Sequence, residues 1–143
     1  MARGTIESKR LKNGYCKWAN VSVPSANWLN NTGTAIEGIS PAGISQIGNY
    51  NLSIHVAGTY LLVLHANFNI QNSTGLRGLR VFVSENNIGE YFFAAGSLGT
   101  DMTVTRLLTT DGNNNVRMGL YQSSGSTGTA EDIEISAILL AEA

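Results

Sequence analysis

From Asn51 to Ala141 the chain is a succession of short stretches in which apolar and polar residues alternate with period two. Each stretch is closed by turn chemistry: Glu85-Asn-Asn-Ile-Gly89, Asp111-Gly-Asn-Asn-Asn115, Ser123-Ser-Gly-Ser-Thr-Gly128. Period two sends successive side chains to opposite faces of a strand, and no stretch sustains the 3.6-residue period of an amphipathic helix. The pattern predicts an all-β protein, an antiparallel β-sandwich or jelly roll.

The strands can be read individually. Leu52, Ile54 and Val56 alternate with Ser53 and His55 before Gly58. Tyr60, Leu62, Leu64, Ala66, Phe68 and Ile70 form one face of the next strand, with Leu61, Val63, His65, Asn67 and Asn69 on the other. Leu79, Val81 and Val83 mark a further strand, followed by Tyr91–Ala95, Met102–Thr109 and an inward row of Val116, Met118 and Leu120. In the last strand Ile133, Ile135, Ala137 and Leu139 share a face, while Ile138 and Leu140 stand opposite. Two strands therefore become apolar on both faces over part of their length. In a chain without helices to cover the second face, that surface is expected to be a subunit interface. Leu61, Val63, His65, Tyr121, Ile138 and Leu140 are the interface candidates.

With 143 residues the chain is long enough for one domain with a proper core. Charged residues make up only 13%, about half the usual share. Polarity comes instead from 15 Asn, 13 Ser and 12 Thr. A net charge of −1 gives no field for nucleic acid or an anionic membrane. No apolar run approaches the ~18 residues of a membrane-spanning helix, so no membrane insertion is expected. One cysteine, Cys16, excludes an intrachain disulfide.

Residues 1–20 hold five of the nine cations, Arg3, Lys9, Arg10, Lys12 and Lys17, opposed only by Glu7. Val21 to Ser45 is irregular, with both prolines and several glycines. Residues 1–45 are accordingly assigned to an arm and irregular segment, and 46–143 to the β domain. Ile6, Leu11, Tyr15 and Trp18 add apolar anchors to the basic ones, which suits an arm docked on an acidic neighbouring protein. The N-terminus lacks the apolar core of a signal peptide, so synthesis in a host cytoplasm is expected.

Nothing in the sequence sets up catalysis. Gly-x-Ser-x-Gly, the phosphate-binding loop and the dinucleotide signature are absent. His55 and His65, placed by this reading on adjacent antiparallel strands, lack the third and fourth ligands of a metal site, so no cofactor or metal is expected. Asp111-Gly-Asn-Asn-Asn115 lacks the alternating carboxylates of a calcium loop and reads as a hairpin turn. Four Asn-x-Ser/Thr sequons, beginning at Asn20, Asn30, Asn51 and Asn72, match by chance in so Asn-rich a chain.

Val56-Ala-Gly-Thr-Tyr60 and the long apolar strand after it resemble the Gly-x-Tyr entry strand of the C1q/TNF-like jelly rolls. Arg80-Val-Phe-Val83 with Asn86-Asn87, Thr105-Arg-Leu-Leu108 with Asp111-Gly112, Val116-Arg-Met-Gly-Leu-Tyr121 and Ile135-Ser-Ala-Ile-Leu-Leu140 are similar to successive segments of that family, over roughly residues 45–141. No collagen-like stalk precedes the domain, and the turn reads Asp-Gly where the family has Gly-Asp. The resemblance implies a homotrimer of the kind used in phage fibres, decoration proteins and bacterial adhesins. The expected function is that of a non-enzymatic virion protein, a capsid-decorating or head-fibre subunit, anchored by its arm to another virion protein. The alternative is a tail receptor-binding tip or lectin-like module, with Trp28, Tyr91 and Tyr121 as candidate contacts to a host cell-surface glycan. Loops 71–78, 96–101 and 122–130 are expected to face outward.

Overall fold

The computed structural model describes residues 14–29 and 52–143 in full, and the backbone of 35–39, 44–47 and 51. Twelve strands are assigned: β1 (Gly14–Trp18), β2 (Val21–Val23), β3 (Asn27–Leu29), β4 (Ala35–Ile39), β5 (Ile44–Ile47), β6 (Asn51–Ile54), β7 (Gly58–Asn69), β8 (Leu76–Val83), β9 (Asn86–Ala94), β10 (Thr100–Thr110), β11 (Asn114–Gln122) and β12 (Gly128–Glu142). There is no helix among the described residues.

Two antiparallel sheets face each other. Sheet A runs β10-β7-β12-β1-β4, with β2 continuing beside β12, and sheet B runs β5-β6-β11-β8-β9. The all-β sandwich read from the sequence is the observed fold. Its core is the set of inward rows: Tyr60, Leu62, Leu64, Ala66 and Phe68 from β7, Ile133, Ile135 and Ala137 from β12, and Leu79, Val81, Val116, Met118 and Leu120 from sheet B, all fully buried. The Tyr60 hydroxyl donates to the Val56 carbonyl at 3.0 Å, so the ring is buried with its polar tip satisfied. Burial raises the Tyr60 pKa, and the nearby Glu142 carboxylate adds to the effect.

The arm assignment needs correction. β1 lies inside sheet A between β12 and β4, with Cys16 opposite Ile135 and Trp18 opposite Ile133. Cys16 is fully buried and Trp18 nearly so, so the sandwich begins by Gly14 rather than at residue 46. Lys17, counted among the anchoring cations, sits in β1 opposite Glu134 and Glu37. Arg3, Lys9, Arg10 and Lys12 lie outside the described residues.

Two further expectations change. Sheet pairing separates the histidines: β6, which precedes His55, belongs to sheet B, whereas His65 is on β7 in sheet A. The Asp111-Gly112 turn forms, with the Asn113 amide donating to Asp111 Oδ1 at 3.0 Å and Gly112 at φ +94°. It carries the chain from β10 in sheet A to β11 in sheet B, so it is a crossover and not a hairpin. A tight hairpin lies two connections earlier, between β8 and β9, where Ser84 and Glu85 both take positive φ (48° and 69°), the geometry that matches strand twist.

The sandwich has two distinct ends. β1 is entered from the end that holds Gly58, Thr110, Val83 and Glu142, here called proximal. The connections 70–75, 95–99 and 123–127 gather at the opposite, distal end, together with Pro24 to Ala26.

Candidate functional site

Three surfaces carry the candidate residues: the outer face of sheet A, the outer face of sheet B, and the distal end.

On sheet A, registry aligns the outward residues in rows. Leu107, Leu61 and Ile138 form one row; Thr105, Val63, Ser136 and Tyr15 the next; Thr103, His65, Glu134 and Lys17 the third. Leu140 follows Ile138 on β12, beside the irregularity between Leu139 and Ala141. The result is an apolar band across three strands, with Leu107 65% exposed, Leu140 49% and Ile138 38%. Leu61, Val63, Ile138 and Leu140 are thus brought together as the sequence predicted. Leu107 was missed because Arg106-Leu107-Leu108 breaks the period-two pattern.

His65 marks the polar border of that band. Its Nδ1 lies 2.9 Å from the Asp132 carbonyl, which can only accept, so Nδ1 carries the proton. Asp132 takes φ +50° in the irregular stretch of β12 between Glu131 and Glu134. Asp101 Oδ1 lies 3.5 Å from His65 Nε2 and accepts from Asn67 Nδ2 at 2.7 Å. Tyr121 does not belong to this group: it stands on β11, in the other sheet.

Tyr121 instead joins Trp28 on the outer face of sheet B. Their ring centroids are 5.2 Å apart, and Phe92 on β9 meets both edge-on, at 6.0 Å from each. Gly78 makes this possible. It lies between Tyr121 and Phe92 in the strand registry, and a methyl there would come to 3.2 Å from ring carbons of both Trp28 and Phe92. The missing side chain is the notch in which Trp28 rests.

One rung further, the Arg80 guanidinium lies 3.9 Å from the Trp28 centroid and pairs with Glu90 at 2.6 Å. Glu90 also accepts from Asn87 Nδ2 at 3.0 Å. Beyond it, Arg117 covers Phe82 at 4.2 Å and pairs with Glu85 at 2.8 Å. Tyr91, the third predicted glycan contact, points the other way. It packs against the core, and its hydroxyl accepts from Arg106 Nη1 at 2.8 Å. In the run Tyr91-Phe92-Phe93 all three residues are aromatic, so sequence alone could not say which one faced out. The exposed ring is Phe92, at 50%.

The distal end is held by hydrogen bonds that tie the connections to one another. Gln122 Nε2 donates to the carbonyls of Val23 and Ser126, and Ser123 exchanges two bonds with Leu76. Beneath them lies Arg77, fully buried without a carboxylate partner among the described residues, its guanidinium donating to the carbonyls of Asn72 and Thr74 at 2.9 Å each. Desolvation lowers its pKa. Residues 19–29, 70–76, 94–100 and 121–130 contain no charged side chain. Leu98, 88% exposed, tops a turn closed by Gly99 N–H to Gly96 O.

No group of three or more metal-ligating side chains occurs among the described residues. No helix there is long and apolar enough to cross a membrane.

No protein-family model matches the sequence, and no curated protein does. Solved structures do. The globular domain of zebrafish complement 1qA protein superposes with a TM-score of 0.65 at 15% identity, covering 92% of this chain and all of that one. Eiger TNF from S. frugiperda gives 0.61 at 10% identity over 92% of this chain and 93% of its own. The PRD1 vertex protein P5 gives 0.59 at 12% identity over 91% and 95%. The fold is therefore the C1q/TNF-like jelly roll, the fold the sequence motifs resemble.

Proposed function

We propose that this protein is a non-enzymatic virion structural subunit, a homotrimer formed through the outer face of sheet A that presents its distal end away from its anchor. The observation that carries the reading is the apolar band of Leu107, Leu61, Val63, Ile138 and Leu140. A folded domain that builds such a band across three adjacent strands exposes it to aggregation unless a second copy covers it, and a closed ring of copies leaves none uncovered. Likeness in fold to a vertex protein supports a place on a virion, and likeness to the complement and TNF domains supports assembly by packing of whole sandwiches.

Within this reading a capsid-decorating or head-fibre subunit is the role we propose, with a tail receptor-binding tip as the alternative. Basic residues Arg3, Lys9, Arg10 and Lys12 precede β1, which is entered at the proximal end, and would serve an acidic surface of another virion protein there. Light scattering on a sizing column tests the assembly: a mass near three times 15.2 kDa is expected. A soluble monomer over the micromolar range would overturn it. Co-sedimentation with capsids that is lost on deleting residues 1–12 tests the anchoring.

A further inference from the structure

We infer that the outer face of sheet B at its distal border, centred on Phe92, is a binding site for an uncharged saccharide. Four observations converge. Phe92 keeps half its surface in solvent while edge contacts from Trp28 and Tyr121 fix its orientation, so a ring face is offered without further ordering. One rung along β9, about 6.8 Å away by strand geometry, stand Glu90, Arg80 and Asn87, already linked to one another. That spacing matches a pyranose lying on the ring with its hydroxyls reaching the carboxylate and amide. Glu90 has acceptor capacity beyond its bonds to Arg80 and Asn87.

The third observation is electrostatic. Arg80 and Arg117 each have a carboxylate partner and an aromatic ring beneath them, so neither offers an unbalanced cation to a phosphate, sulfate or sialic acid. The fourth is the adjoining distal end, where the connections expose Gln71, Ser73, Thr74, Ser126 and Thr127 and no charge at all. Hydroxyl and amide groups beside an aromatic shelf suit the alternating apolar and hydroxyl faces of a neutral sugar. Leu76, 46% exposed one rung beyond Gly78, lengthens the shelf to a strip two side chains long; bounded by the Arg80–Glu90 pair, it is smaller than the apolar centre of a protein interface.

The site uses different residues from the sheet A band and does not depend on trimer formation. The test is an array of immobilised neutral and acidic oligosaccharides probed with the full chain, followed by solution titration of the retained glycans. Neutral glycans should be retained, with affinity unchanged between low and high salt. Phe92→Ala should weaken binding roughly tenfold or more, with circular dichroism unaltered because the ring is half exposed, while Phe92→Trp should keep it. Titration of the Leu61→Asp variant should give the same affinity per site, so failure of the trimer and failure of this site are read separately. An array that retains no neutral glycan, or only sialylated or sulfated ones, overturns the inference. So does a Phe92→Ala variant that binds undiminished.

Discussion

The outer faces of the two sheets began with similar material and were finished differently. Both carry large apolar side chains in solvent-side positions. On sheet B the chain covers part of them itself: Trp28 settles over Gly78, Arg80 over Trp28, and Arg117 over Phe82, leaving Phe82 only 9% exposed, while Phe92 and Leu76 at the distal border stay about half exposed. On sheet A nothing from the described residues crosses the band of Leu107, Leu61 and Ile138. An arginine with a carboxylate partner can serve as a lid because its flat guanidinium stacks on a ring while its charge stays satisfied. Sheet A has no such lid among the described residues, and its face is the one we propose another copy covers.

The comparison can be broken most forcefully at its bare side. Leu61→Asp places a charge in the middle of the band, and the dissociation constant of the trimer should rise by at least ~100-fold, about 3 kcal/mol, read by light scattering across a dilution series. The monomer should keep its fold, since Leu61 faces away from the core. If the variant stays trimeric, the sheet A face is not the interface.

At the covered side, Gly78→Val should displace Trp28 from its notch and cost about 1–3 kcal/mol in chemical denaturation, with a change in tryptophan fluorescence. An unchanged spectrum would mean that Trp28 does not depend on the notch. Arg80→Met keeps the apolar stem but removes the cation over Trp28 and the bond to Glu90. A loss of about 1 kcal/mol is expected; no loss would show that the lid is decorative. The smallest effect belongs to Glu85→Gln. Its carboxylate is largely in solvent, so removing the pair with Arg117 should change stability by less than ~0.5 kcal/mol, and still less in high salt.

The core between the two faces supplies a control with a known sign. Tyr60 has its pKa raised above 10.0 by burial, so the folded state holds this proton more tightly than the unfolded chain. Its contribution is complete below pH 10 and is lost as pH rises from there through the folded-state pKa. A Tyr60→Phe variant should therefore show a shallower loss of stability in alkaline titration.

What the sequence made legible followed from clean alternation. Leu52 and Ile54, Tyr60 to Phe68, Val116 to Leu120 and Ile133 to Leu139 each read as inward rows, and the structure buries them. Ile138 and Leu140 read as outward for the same reason. Legibility failed where alternation was masked. In β1 the inward Cys16 and Trp18 alternate with Tyr15 and Lys17, but the density of nearby cations drew the whole segment into an arm. In Tyr91-Phe92-Phe93 and Arg106-Leu107-Leu108, adjacent large side chains gave both registers equal weight. Which face of which sheet a residue joins was legible only in part, because it depends on crossovers such as Asp111-Gly112, whose local chemistry is that of a hairpin. Tyr121 was grouped with the wrong face for that reason.

The place of β1 in sheet A also sets a timetable. Its partner on one side is β12, so residues 14–18 cannot complete their ladder until residues 133–137 have been made. During synthesis Cys16 and Trp18 are held without the strand that shelters them, and most of sheet A waits with them, because β7 too lies against β12. Topology of this kind closes late and slowly. A chain that has emerged only as far as residue 127 therefore lacks the strand that completes sheet A, and its thiol is still in reach of oxidants.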